Sequence, residues 1–427
     1  MLKKLALIAC LSSKNWYSFA PLLATLETRD LLEKYHVVIL EKRSNSVIEK
    51  IVNQFETIIF AYSFHTPEVP VIAREIKSIK ESFPSQKILF IAGGPHASGN
   101  PKQTLQVGFD LVIKGEGEQI FPLLLDRFWK GESYLDLEGI CFVRDGQIHI
   151  ADCSHFIELD AYPTCSKRFG LHPPIEITRG CPFGCKYCQV SYLFGRKMRH
   201  RSIECIIKIV KEYIETFKGP RISYIRFISP NSFAYGSPNG ETPNPVKISE
   251  LLHSIAHSFP DTRIFFASFP SEGRPEFITP SILEQITPYI ANKTICFGAQ
   301  SGSDRILKAI GRQHTVQDIM NAASAISDAH LLPLVDFIVG LPDETPEDQV
   351  QTLEIIKELL RLNAKIRIHY FMPLAGTPFE NKRAVPIASS IFSEFGRLAK
   401  KGQLIGNLNT QVQNSIRIQH FFESNKS

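Results

Sequence analysis

The stretch Arg179-Gly-Cys-Pro-Phe-Gly-Cys-Lys-Tyr-Cys188 decides how this chain is read. Cys181, Cys185 and Cys188 stand at CxxxCxxC spacing in a tight loop containing glycine and proline. Three thiolates can hold three irons of a [4Fe-4S] cube and leave the fourth iron open. A structural zinc usually closes its shell with four ligands, commonly two CxxC pairs, and a redox dithiol needs only two cysteines. The missing fourth ligand points to a reactive iron; three chance or zinc-binding cysteines are the plain alternative.

The 427 residues suffice for two or three domains, each with its own core. A hydrophobic content of 44% and a charged content of 21% are ordinary globular values and exclude a disordered or low-complexity chain. The net charge of +5 is a weak excess with interspersed signs, so nucleic-acid binding is permitted but not indicated. Nine cysteines in a chain this long make no dense disulfide framework, and an oxygen-sensitive cluster fits a reducing cytosol. No apolar run reaches membrane-spanning length, so a soluble, cytoplasmic protein without a membrane partner is expected. The opening Met1 to Cys10 has the outline of a lipoprotein signal, but its short apolar run is equally a first buried parallel strand. The helical pattern from Tyr17 to Tyr35, followed by another strand, favours the strand.

Around the cysteine loop the chain falls into an α/β pattern. Residues 3 to 130 alternate apolar runs at Lys4–Ala9, His36–Leu40, Thr57–Tyr62, Lys87–Ile91 and Leu111–Ile113 with helical stretches. That order predicts a Rossmann-like parallel sheet domain over residues 1–137, with its ligand crevice beyond the carboxyl ends of the strands. Alternation around Asp145-Gly146 predicts a hairpin, and residues 138–174 are assigned to hairpin and linker. From Ile175 the strand–helix alternation resumes for about six units. Candidate strands there are Ile175–Thr178, Ile222–Ile228, Arg263–Ser268, Thr294–Ala299, Leu334–Val339 and Lys365–Phe371. A helix over 203–217 is marked by apolar residues at helical spacing. Residues 381–427 form a C-terminal extension.

The cysteine loop, including Tyr187 before its last cysteine, resembles the signature of the radical S-adenosylmethionine (SAM) superfamily. Three later stretches resemble that superfamily in the right order: Phe297-Gly-Ala-Gln-Ser-Gly-Ser-Asp-Arg-Ile-Leu307, Val335-Asp-Phe-Ile-Val-Gly-Leu-Pro-Asp-Glu-Thr345 and Met372-Pro-Leu-Ala-Gly-Thr-Pro378. The resemblance covers about Ile175 to Phe379 and implies a partial (β/α)6 barrel over 175–380. It also implies that Gln300 and Ser301 bind polar groups of SAM, that Gly302 admits the ligand to the backbone, and that apolar residues around Val339 pack against adenine. Ser303 can cap a helix in the same stretch. Where the superfamily often carries a Gly-Gly-Glu-like contact to the SAM amino group, this chain has Ser229-Pro-Asn-Ser. There Ser229 or Asn231 would stand in for the missing carboxylate.

In the first half, Ala92-Gly-Gly-Pro-His-Ala-Ser98 and Lys114-Gly-Glu-Gly-Glu118 look like the cobalamin-binding-type domain that precedes many radical SAM barrels. The resemblance places Gly93, Gly94 and Ser98 along a cobalamin cleft; turn glycines in a sheet without a cofactor are the alternative. The Asp-x-His-x-x-Gly signature is absent after the first strand, so the lower axial cobalt position is expected to lack a protein imidazole. What the resemblance implies for function is a cobalamin-dependent methyltransferase with cofactors [4Fe-4S], SAM and cobalamin. An external donor such as flavodoxin or ferredoxin would reduce the cluster, SAM would yield a 5′-deoxyadenosyl radical, and methylcobalamin would supply the methyl group to a substrate carbon. Two other readings stay open: a cobalamin-independent enzyme resembling RNA methylthiotransferases, and a non-catalytic iron-sulfur or zinc protein. The run Arg196-Lys-Met-Arg-His-Arg201 reads as a solvated basic face or as a site for a phosphate or carboxylate substrate. Cys141, Cys153 and Cys165 read as free thiols or as ligands of a second cluster.

Overall fold

A computed structural model describes residues 3–41, 43–153, 156–217 and 224–424. The chain forms two compact units, one reaching to Pro173 and taking in Leu374–Gly376, the other running from Pro174 to Pro373 and on from Thr377.

The first unit is built on β1 (Lys3–Ala9), β2 (His36–Ile39), β3 (Phe55–Ser63), β4 (Lys87–Gly93), β5 (Leu111–Ile113), β6 (Ile140–Arg144) and β7 (Gln147–His149). They lie in the order β2-β1-β3-β4-β5-β6-β7. The first five pair in parallel, as their apolar runs and long connections require. Strand β1 pairs with both β2 and β3, and its residues from Ala6 onward are buried, so the opening apolar run is a sheet strand. One face packs Leu7, Ile59 and Ile91 against Phe19, Leu23 and Leu124 of covering helices. The hairpin forms where Asp145 and Gly146 take positive φ values of 52° and 75°. Strand β6 pairs antiparallel with β5, so the hairpin extends the sheet, and the first unit continues to Pro173.

The second unit carries β8 (Ile175–Glu176), β9 (Thr178–Arg179), β10 (Arg199–His200), β11 (Tyr224–Ile228), β12 (Arg263–Phe265), β13 (Thr294–Gln300), β14 (Leu332–Val339), β15 (Lys365–Tyr370) and β16 (Leu404–Ile405). The first two residues of the candidate strand 222–228 lie outside the described residues. Two parallel ladders, β12-β11-β8 and β13-β14-β15-β16, are joined by backbone bonds from Gly273 to Cys296 and from Gly298 back to Gly273. Together they make the partial barrel. Ile225, Phe227, Phe297, Val335, Phe337 and Ile366 form the fully buried layer under the helices, whereas Arg226, Ile338, Arg367 and His369, at alternating positions, are less buried and face inward. The extension is not separate from the barrel: β16 pairs with β15, and helix Leu408–Ser424 places Gln411 on the Tyr370 amide.

Candidate functional site

The cysteine loop leaves the carboxyl end of the first barrel strands and is pinned at its base. Strands β9 and β10 pair antiparallel across it, and Cys181 N donates to Gly195 O at 3.1 Å. Gly180 has φ +87°, and a Cβ there would fall 2.3 Å from Lys197 O, so only glycine turns the chain into this loop. Cys188 N donates to Cys185 O at 3.1 Å, and Lys186 N to Ile310 O at 2.9 Å. Cys185 is buried, while Cys181 and Cys188 are half-buried. Burial holds the Cys181 thiol above its usual range and pushes Cys188 up to about 12. Tyr187 packs into a cluster formed by Ile306, Ile310, Leu341, Phe371 and Phe379, with Ile338 against it.

Two arginines meet the Cys185 thiol, each with further polar partners; Arg312 and His314 lie in the stretch Gly311-Arg-Gln-His-Thr315 that follows the fourth-strand motif, whereas nothing in the sequence singles out Arg274 and Glu276. Arg274 and Arg312 each direct Nη1 at Cys185 Sγ, both at 3.8 Å. Arg312 also donates from Nη2 to Gly298 O at 2.7 Å, and Arg274 from Nε to Glu276 Oε1 at 2.6 Å. The guanidinium carbon of Arg274 lies 3.5 Å from the centre of the Phe183 ring. Glu276 Oε2 is 3.4 Å from His314 Nδ1, and His314 Nε2 donates to Ala299 O at 3.1 Å. Burial alone would raise the Glu276 carboxyl, but the nearby His314 ring and the two arginines hold it at about 2.

The site fits an anionic iron-sulfur centre with a carboxylate-bearing ligand. Both guanidiniums meet the Cys185 sulfur, and Arg274 Nη2, Arg312 Nε and Asn231 Nδ2 are buried donors that find no hydrogen-bond partner among the described residues. Cys141, Cys153 and Cys165 lie in the first unit outside any disulfide, two of them buried. The basic run beside the loop is partly spent on backbone: Arg199 Nη2 donates to Phe194 O, and buried Arg201 donates from Nε to Glu176 O. Only Arg196 and Lys197 of that run are exposed.

The residues expected against SAM divide. Asn231 lies at the site, its Oδ1 accepting from Arg274 N at 3.3 Å. Buried Ser229 accepts from Asn231 N at 3.2 Å and so shapes that loop. Gln300 ends β13 at a bulge, with φ 72°, and its amide folds over Gly298. Ser301 and Gly302 turn the other way, toward helix Pro346–Arg361: Gly302 N donates to Thr352 Oγ1 at 3.0 Å, and Ser301 Oγ lies 3.4 Å from it. A Cβ on Gly302 would sit 2.6 Å from Thr352 Cα, so this glycine admits a helix rather than a ligand. Val339 belongs to the helix-facing layer and is 1% exposed; its inward neighbour Ile338 is the apolar residue turned to the site. Ser303 does cap its helix, accepting from Ile306 N, and also bonds buried Asp348 at 2.6 Å.

Glu344 closes the turn after β14, its Oε2 accepting from Gly340 N at 2.7 Å. Burial raises its carboxyl from the model-peptide value to about 7 despite that bond. A carboxyl raised on folding contributes stability that is present below its unfolded pKa and lost as pH climbs through the folded value. Glu344→Gln is therefore expected to be more stable than the parent at pH 8, by roughly 1–3 kcal/mol, and indistinguishable from it at pH 4. Paired thermal melts at the two pH values check this; an equal effect at both would exclude the titration.

In the first unit, Gly93, Gly94 and Ser98 come together beyond the carboxyl end of β4. Gly94 has φ +84°, and a Cβ on it would lie 2.4 Å from Ser63 Oγ and 3.0 Å from Phe64 N; it is a packing glycine. Around Gly93 a Cβ would meet nothing nearer than 3.9 Å. Ser98 Oγ accepts from Gly115 N at 3.0 Å, tying this loop to the Lys-Gly-Glu-Gly-Glu turn. The Ser63 hydroxyl at the end of β3 is buried and finds no hydrogen-bond partner among the described residues. Space at Gly93 beside an orphan hydroxyl fits a ligand that approaches the backbone there. Two histidines flank the crevice: His96 is buried against Thr66 Oγ1 at 3.1 Å, and half-exposed His65 faces Glu68 at 3.4 Å.

Residues 175–356 match the radical SAM superfamily. These residues carry a radical SAM domain, the domain of enzymes that work with a [4Fe-4S] cluster and SAM. It is 25% identical over 357 residues to PH0819, an uncharacterized methyltransferase of Pyrococcus horikoshii, covering 79% of this chain and 71% of that protein. It is 32% identical over 210 residues to a tRNA-2-methylthio-N(6)-dimethylallyladenosine synthase of Petrotoga mobilis, covering 48% of this chain and 45% of the synthase, less than half its length. Among solved structures, the radical SAM methyltransferase TsrM from Kitasatospora setae, with cobalamin and a [4Fe-4S] cluster bound, aligns with TM-score 0.66 at 14% identity. It covers 90% of this chain and 80% of TsrM. The cobalamin-dependent radical enzyme OxsB, with aqua-cobalamin and SAM bound, aligns with TM-score 0.66 at 17% identity over 83% of this chain and 52% of OxsB. At these identities the likeness is one of fold. Among the described residues no helix is long and apolar enough to cross a membrane.

Proposed function

We propose that this radical SAM enzyme is a cobalamin-dependent methyltransferase acting on an unactivated carbon. The observation that carries it is the convergence of Cys181, Cys185 and Cys188 with Arg274, Arg312 and the orphan donors at the carboxyl end of a barrel, in a chain whose first unit has a parallel-sheet crevice. The methyltransferase name of the Pyrococcus relative and the fold shared with TsrM and OxsB support the same choice. When bound, the cluster and SAM would supply a 5′-deoxyadenosyl radical, and the corrin would supply the methyl group. The protein's own part is positional. The three cysteines would hold iron, Arg312 and Asn231 would offer donors to the amino-acid end of SAM, and Ile338 would cover its apolar part. The inward layer with Arg367 and His369 would meet the substrate. The electron would come from an external donor of the flavodoxin or ferredoxin kind.

The relation to the Petrotoga synthase favours methylthiolation as a second reading. Cys10 is the only cysteine in residues 1–137, and it is buried, which supplies no ligand set for a further amino-terminal cluster. Anaerobic reconstitution with iron, sulfide and hydroxocobalamin, followed by desalting, separates the two. The methyltransferase assignment expects about four irons and one corrin per chain. Iron without corrin would instead favour the second reading.

A further inference from the structure

We propose that Arg274 tunes the iron-sulfur centre, its guanidinium stabilising the reduced, more negative cluster from a fixed position against the Cys185 sulfur; this rests on the assignment of the cluster to the three cysteines. Arg274 is 4% exposed and lies on a loop distant in sequence from the cysteines. Its amide, guanidinium face, Nε and Nη1 each have a fixed neighbour, and Nη2 is left as a donor without one among the described residues. Its amide donates to Asn231 Oδ1, its guanidinium stacks 3.5 Å from the Phe183 ring centre, Nε is gripped by Glu276 at 2.6 Å, and Nη1 is left facing Cys185 Sγ at 3.8 Å. Glu276 is in turn set by His314, whose Nε2 is anchored on Ala299 O of β13. Glu276 and His314 are thus positioning residues that fix where the charge points.

The electrostatics have a sign. A guanidinium stays protonated under all working conditions, and a buried charge is weakly screened. One-electron reduction adds a negative charge to the cluster, so a nearby cation favours the reduced state. Glu276 binds the Nε edge of the guanidinium, away from the sulfur, and partly offsets that cation. Neutralising Arg274 should therefore lower the midpoint potential, and neutralising Glu276 should raise it. Loss of packing alone would not produce opposite signs.

The test is potentiometric titration of the reconstituted protein without SAM, followed by paramagnetic resonance. Arg274→Gln is expected to keep the iron content and to shift the reduced-to-oxidised ratio at fixed potential at least tenfold toward oxidised, about 59 mV for one electron. Glu276→Gln, which keeps an acceptor for Nε, is expected to shift it toward reduced. Unshifted potentials, or shifts of the same sign, in iron-loaded variants overturn the proposal alone. A wild-type protein that takes up no iron overturns it together with the cluster assignment. If Arg274→Gln takes up no cluster, Arg274→Lys decides: assembly at a near-parental potential supports the charge role, and failure to assemble overturns it.

Discussion

Cys185→Ala is expected to abolish reductive SAM cleavage. Cys185 is the buried member of the three, and two guanidiniums are directed at its sulfur. Removing the sulfur leaves two thiols and two guanidiniums, Arg274 among them buried, without the anionic centre that would offset the charge. Neither a three-thiolate cube nor an ordered ligand at its open iron survives that change. The measurement is chromatographic quantitation of 5′-deoxyadenosine from anaerobically reconstituted protein with dithionite, where the variant should fall to background. Undiminished product from the variant would remove Cys185 from the cluster, and a parent that carries zinc alone would remove the cluster itself.

Gly302→Val should lose both stability and SAM affinity. The Cβ of any larger residue would lie 2.6 Å from Thr352 Cα and 3.0 Å from Gln351 O, backbone atoms of a 16-residue helix that cannot step aside cheaply. Overpacking of this kind costs about 2–3 kcal/mol, which in a unit of this size lowers the melting temperature by roughly 5–10 °C. Separating the two elements also disturbs Gln300 at the bulge and the bond between Ser303 and Asp348, so the end of β13 shifts away from the site. Thermal melts and equilibrium SAM binding check it. A variant with unchanged melting and unchanged affinity would show that the contact with this helix does not set the strand end.

The three cysteines and the alternation of strands and helices were legible because each is a local pattern. Spacing alone puts three thiols on one loop, and strand bounds such as Leu111–Ile113 follow from apolar runs closed by turns. What the sequence concealed was pairing and parity. Nothing in residues 140–149 says that the hairpin docks on β5, because an edge strand's partner leaves no local mark. In β14 nearly every residue is apolar, so the assignment of Val339 rather than Ile338 to the ligand side could not be checked by alternation. Gly302 was recognised as a close approach, but a glycine does not announce what approaches it. Arg274 and Glu276 on one short turn and His314 on another segment are common residue types, and only the fold brings them towards Cys185. The two-residue β16 is too short for any periodic signal.

The central claim is methyl transfer through a corrin held by this chain, and labelled methyl donation tests it most directly. Reconstituted protein loaded with cobalamin, reduced and incubated anaerobically with SAM carrying a trideuterated methyl group, should yield protein-bound methylcobalamin heavier by the full label in mass spectrometry. A preparation that cleaves SAM to 5′-deoxyadenosine yet retains no corrin, or retains it unmethylated, would contradict the account.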